Sequence, residues 1–175
     1  VLAREGAIVP LKNMEVFDND TDNPKSLEIK IFPGKTGSFT LWEDEGDCVE
    51  ESWVETKLEK AQEEGKDCFI IHSPQGNTKV LPEKRCWKLD FVKMKKNTVS
   101  VLVDGKETAY KATVEKNGMC IEITEVPVNA EIKVVFENPV EESLADLAQE
   151  AYEILEKAQI SYNLKSDLYN LIKEQ

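Results

Sequence analysis

The chain has 175 residues, of which 41% are hydrophobic, and a net charge of -12 at pH 7. That is enough chain for one medium domain or two small ones, with the composition of a globular protein. The acidic balance argues against nucleic acid and anionic membrane surfaces as partners, and no run of about 18 apolar residues could span a bilayer.

In chain order, the opening "VLAREGAIVPL" starts within apolar sequence. It lacks an initiator Met and any signal-peptide pattern, so the chain reads as a piece of a longer protein. Residues 1–137 read as β-structure. Leu27, Ile29 and Ile31 alternate with Glu28 and Lys30, and Phe39 and Leu41 alternate with Ser38 and Thr40. Val99, Val101 and Val103 repeat the pattern, followed by Ile121 with Ile123 and by Ile132 with Val134 and Phe136. A period of two means one buried and one wet face, as in antiparallel sheets. Pro33-Gly34, Asp104-Gly105 and Asn117-Gly118 punctuate the runs as turns. About eight or nine short strands at this spacing predict a sandwich. Val54–Lys66 is ambiguous: its Lys- and Glu-rich composition fits a short helix or a charged hairpin, and the reading taken is strand to about Leu58 and loop beyond.

The remaining chain changes character. Asn138-Pro139 followed by Glu141 has the pattern of a helix start. Leu144, Ala148, Ala151, Leu155 and Ala158 then fall on one helical face. After a polar break at Ser161–Asn163, Leu164, Leu168, Leu171 and Ile172 mark a second helix. The expected fold is mainly β, an antiparallel sandwich with a C-terminal helical hairpin. The apolar stripe reads as packing surface, with a partner-binding helix as the alternative.

Glu43, Asp44, Glu45 and Asp47 crowd the end of "GSFTLWEDEGD". On a strand Glu43 and Glu45 would share a face with Cα atoms about 6.6 Å apart, a spacing that paired-carboxylate glycoside chemistry permits. Gly46 and the charge density favour an exposed acidic turn instead. "DNDTDN" (Asp18 to Asn23) places Asp as a calcium loop does, but lacks the later Gly and Glu. His72 is the sole histidine and reads as structural. "GKTGS" (Gly34 to Ser38) lacks the phosphate-loop spacing. Cys48, Cys68, Cys86 and Cys120 form no CxxC pair. Cys68 and Cys120 read as small core residues, and reduced thiols of a cytoplasmic protein fit better than a disulfide framework. No metal or cofactor is expected. Trp42, Trp53 and Trp87 could stack on sugar rings, although strand tryptophans more often fill a core.

"REGAIVPL" (Arg4 to Leu11) with "LEIKIFPGKTGSFTLWEDEGD" (Leu27 to Asp47) resembles the C-terminal region of glycoside hydrolase family 31, the α-glucosidases and α-xylosidases. "LPEKRCWKLDF" (Leu81 to Phe91) resembles a later strand of the same region, through Arg85, Trp87, Leu89 and Phe91. Trp42 stands where the family pattern has Tyr, and Glu45 where it has Asp. The resemblance implies a barrel followed by proximal and distal sandwiches. Residues 1–12 would then be a remnant strand of the proximal sandwich, 13–137 the distal sandwich, and 138–175 a helical extension outside the pattern. It implies catalytic aspartates on a barrel for which this chain has no room. The expected role is a non-catalytic accessory domain that braces the barrel and proximal sandwich or aids homo-oligomer formation. Glu43, Asp44 and Glu45 would be domain contacts. The alternative is a carbohydrate-binding module using Trp42, Trp53 or Trp87.

Overall fold

The computed structural model describes residues 3–12, 22–46, 52–115, 117–141 and 147–173. The chain divides into two compact units, Val1–Glu142 and Ser143–Gln175. The first is a two-sheet β-sandwich. Its strands are β1 (Ile8–Lys12), β2 (Ser26–Ile31), β3 (Gly37–Glu43), β4 (Val54–Glu63), β5 (Lys66–Ile71), β6 (Gln75–Gly76), β7 (Lys84–Val92), β8 (Val99–Val103), β9 (Lys106–Glu107), β10 (Lys111–Glu115), β11 (Gly118–Pro127) and β12 (Ile132–Phe136). One sheet runs β1-β2-β7-β11-β10; the other runs β3-β4-β5-β12-β8-β9, with β6 added beside β4.

The alternating runs form the core as the period of two predicts. β2 buries Leu27, Ile29 and Ile31, and β7 buries Trp87, Leu89 and Phe91. From the facing sheet come Leu58, Phe69, Ile71, Val101, Ile132 and Val134. Phe91 stands edge-on to Phe69 and Phe136, with centroids 5.8 and 5.2 Å away, the arrangement that ring quadrupoles favour. Each such fully buried side chain contributes about 1.5–3 kcal/mol.

Several expectations are corrected. The sheets are not purely antiparallel: β2 and β7 pair in parallel, Leu27 opposite Trp87 and Ile31 opposite Phe91. β4 continues to Glu63 and turns through Glu64-Gly65, whose φ values of 52° and 79° suit a two-residue hairpin. Its charged residues looked helical because they occupy the wet face of the strand. Asp104-Gly105 makes the predicted hairpin, φ 48° and 74°, but Gly118 already lies in β11 opposite Glu115. Phe39 is exposed although its strand is correctly placed, because β3 is a sheet edge.

Residues Ile8–Lys12, expected to belong to a preceding sandwich, pair along their full length with β2 and place Ile8 in the common core. The quoted motifs that carry the family resemblance also interlock. Gly6 N–H donates to Pro33 O at 2.5 Å. A Cβ on Gly37 would lie 2.0 Å from the Gly6 carbonyl oxygen, and one on Gly6 would lie 2.1 Å from that of Thr36. Only glycine allows the two backbones this close.

Residues 138–141 are not helical. Asn138 bonds Asn97 instead of capping a helix, Val140 N–H donates to the Asp67 carboxylate, and Lys95 N–H donates to Glu141 O. Val140 packs against the core. The second unit holds α1 (Leu147–Lys157) and α2 (Tyr162–Lys173). Ser161 caps α2 with its hydroxyl, so Tyr162 and Asn163 are helical and the break is shorter than read. Tyr152 meets Tyr169 at 5.9 Å, and Lys165 donates to the Glu156 carbonyl. Within this unit Leu164, Leu168 and Leu171 remain exposed; Leu144 lies outside the described residues.

Candidate functional site

The acidic cluster is divided by the end of β3. Leu41 and Glu43 have inward parity on the strand, and Arg85 shares the inward parity of Trp87, Leu89 and Phe91 on β7. The two strands belong to opposite sheets. Glu43 is 8% exposed and Arg85 is 1% exposed. Arg85 Nη1 donates to Glu43 Oε2 at 2.9 Å and Nη2 to Oε1 at 2.7 Å. Arg85 Nε donates to the Pro24 carbonyl at 2.9 Å, and the guanidinium lies 5.5 Å from the Trp87 ring centroid. Bidentate geometry and a satisfied third donor are what make a buried pair tolerable.

This corrects the reading of Glu43 as a residue of an exposed turn. Both its oxygens are held by one guanidinium inside the sandwich, so they cannot serve as base or nucleophile toward a ligand. Asp44 and Glu45 are exposed beyond the strand end. Asp44 Oδ1 accepts from Gly46 N–H at 2.8 Å, a local Asx turn. Asn23 ties the region together by donating to the carbonyls of Asp44 and Val80, each at 2.9 Å. Asp47 and most of the "DNDTDN" stretch, Asp18 to Thr21, lie outside the described residues. Among the described residues no group of three or more His, Cys, Asp or Glu is placed to hold a metal ion.

The three tryptophans separate into two environments. Trp87 is 4% exposed, beneath Arg85 in the core, and offers no ring face to a ligand. Trp42 is 60% and Trp53 43% exposed, and their rings meet at 5.0 Å with a 43° tilt. Register explains the meeting. Trp42 lies opposite Glu55 on β4, and Glu55 lies opposite Gln75 on β6. Trp53 is two residues before Glu55 and therefore on the same outer face, diagonal to Trp42. Thr40 opposite Lys57 forms the next row, and His72 N–H donates to the Lys57 carbonyl. Thr40, Glu55, Lys57, His72, Ser73 and Gln75 line a shallow groove of about 340 Å³ here.

His72 engages carboxylates. Its Nε2 is 3.0 Å from Glu59 Oε2 and its Nδ1 3.7 Å from Glu131 Oε2. Lys57 Nζ also reaches Glu59, at 2.8 Å. Hydrogen bonds from Lys57 and then His72 hold the Glu59 carboxyl below its ordinary range. Cys68, Cys86 and Cys120 are free thiols, and burial pushes the Cys68 and Cys120 thiols up.

Sequence reasoning noted Arg85 but missed its partnership with Glu43, and missed Glu55, Lys57 and Gln75. Strand parity was the available signal for the first. The second depended on the register of β3 and β6 against β4, which sets Trp42, Glu55 and Gln75 in one row.

No protein-family model matches the sequence, and no curated protein is significantly similar to it. Solved structures are similar in fold. The Flavobacterium johnsoniae GH31 dextranase, both as mutant D412A complexed with isomaltotriose and complexed with glucose, superposes with a TM-score of 0.58 at 17% identity. The match covers 75% of this chain and 19% of the dextranase. The Gracilariopsis lemaneiformis alpha-1,4-glucan lyase gives a TM-score of 0.53 at 11% identity, covering 75% of this chain and 16% of the lyase. At these identities the likeness is one of fold, and this chain spans under a fifth of the length of each of these enzymes.

Proposed function

We propose that this chain acts as a non-catalytic accessory sandwich of a family 31 glycosidase acting on α-glucosides or α-xylosides. The carrying observation is the bidentate lock on Glu43, which removes from chemistry the first carboxylate of the acidic cluster. The fold likeness to a partial region of GH31 enzymes supports the reading, as do the motifs around Gly6, Gly34 and Glu43. In it, the sandwich braces a catalytic barrel and a neighbouring sandwich supplied by the same longer protein. Asp44 and Glu45, exposed at the strand end, are its contact residues. The test is to express the complete open reading frame with and without residues 1–141. The expected result is α-glucosidase or α-xylosidase activity in the complete protein, with the deletion lowering its thermal stability. A complete protein without a glycosidase barrel, or an unaffected deletion variant, overturns the proposal.

A further inference from the structure

We propose that the outer face of β3, β4 and β6 is a binding site for α-linked gluco-oligosaccharides, centred on Trp42 and Trp53; this deepens the accessory-domain reading and rests on it for the choice of sugar. Two neighbouring indoles 60% and 43% exposed are an unusual use of large apolar surface. Their partner in a sugar complex would be the C–H face of a pyranose ring, which stacks on an aromatic ring while its hydroxyls point sideways.

The polar surroundings fit that ligand. Glu55 and Gln75 continue the row of Trp42 across the sheet, and Thr40 and Lys57 form the next row. Together they put carboxylate, amide, hydroxyl and ammonium groups on the same face of the sheet as the two indoles, the mixture that fixes a polyhydroxylated ligand. Charge argues for neutrality. Lys57 and His72 are both drawn to Glu59, at 2.8 and 3.0 Å, so the groove carries no unbalanced cationic cluster for a phosphate or polyanion.

The test uses the 175-residue chain labelled with 15N and titrated with maltoheptaose, isomaltotriose and cellohexaose, following the three indole N–H signals. The expected result is saturable shifts of Trp42 and Trp53 with an α-glucan, in the range of about 0.1–10 mM, while the core Trp87 signal stays still. Trp42→Ala and Trp53→Ala should each weaken binding roughly tenfold or more, with circular dichroism unchanged. No saturable shift up to about 20 mM of either α-glucan overturns the proposal. So does equal binding by both variants, tighter binding of cellohexaose, or a Trp42→Ala effect confined to self-association. Failure here leaves the accessory-domain reading standing, because that reading is tested by the deletion in the complete protein.

Discussion

Glu43 and Arg85 join the two sheets of the sandwich through two parallel hydrogen bonds, 2.7 and 2.9 Å long, with both side chains buried. Removing one partner strands the other charge in the interior. Glu43→Ala is therefore expected to destabilise the sandwich by about 3–5 kcal/mol, measured by urea unfolding. Replacing both partners with apolar residues of similar size, as in Glu43→Leu with Arg85→Met, should recover most of that loss. A double variant as unstable as Glu43→Ala would show that the pair does more than neutralise itself.

Gly37→Ala should be among the more damaging small substitutions. Its new Cβ would fall 2.0 Å from a backbone oxygen of Gly6, and neither backbone can yield without disturbing β1 or β3. A loss of about 3 kcal/mol or more is expected in thermal or urea unfolding. Gly46→Ala meets no atom within 4 Å, so only its positive φ of 79° counts against it. It should cost about 1 kcal/mol.

Stability should fall in acid partly through Glu59. Its folded pKa lies below the ordinary 4.5 because Lys57 and His72 bond the carboxylate. A depressed folded pKa stabilises above the unfolded value, and that contribution is lost as pH falls through the folded one. Melting temperatures of the parent and Glu59→Gln should differ at pH 7 and converge below the folded pKa. The effect is modest and salt-sensitive, since the pairs are part-exposed.

Cys68 and Cys120 should resist modification. Both are buried, and burial raises their thiol pKa, so little nucleophilic thiolate forms. Iodoacetamide at pH 8 followed by peptide mapping should leave both unlabelled in the native chain and label them in urea. Rapid native labelling of Cys120 would contradict its place in the core.

Alternation at Leu27–Ile31, Val99–Val103 and Ile132–Phe136 made the sandwich legible, because each run has one wet face. The parallel pairing of β2 with β7 was not, since it joins residues 60 apart in sequence, as at Ile29 and Leu89. Asn138-Pro139 carries a helix-start signal that tertiary bonds to Asn97 and Asp67 override. Trp87 shares the parity of Leu89 and Phe91, which places it inside, whereas Trp42 has the opposite parity to Leu41 and Glu43. Arg85 shares the parity of Trp87, so the need for a buried carboxylate partner was readable. That the partner was Glu43 was hidden by the four acidic residues around the strand end, which made a solvated turn the simpler reading.

The most direct measurement is hydrolysis of p-nitrophenyl α-glucoside and α-xyloside by the purified 175-residue chain, run beside Glu43→Gln and a melting curve of each. The account predicts no release of nitrophenol by either protein and a lower melting temperature for Glu43→Gln. Turnover by the parent chain that Glu43→Gln abolishes without loss of stability would contradict it, and would make Glu43 a catalytic carboxylate.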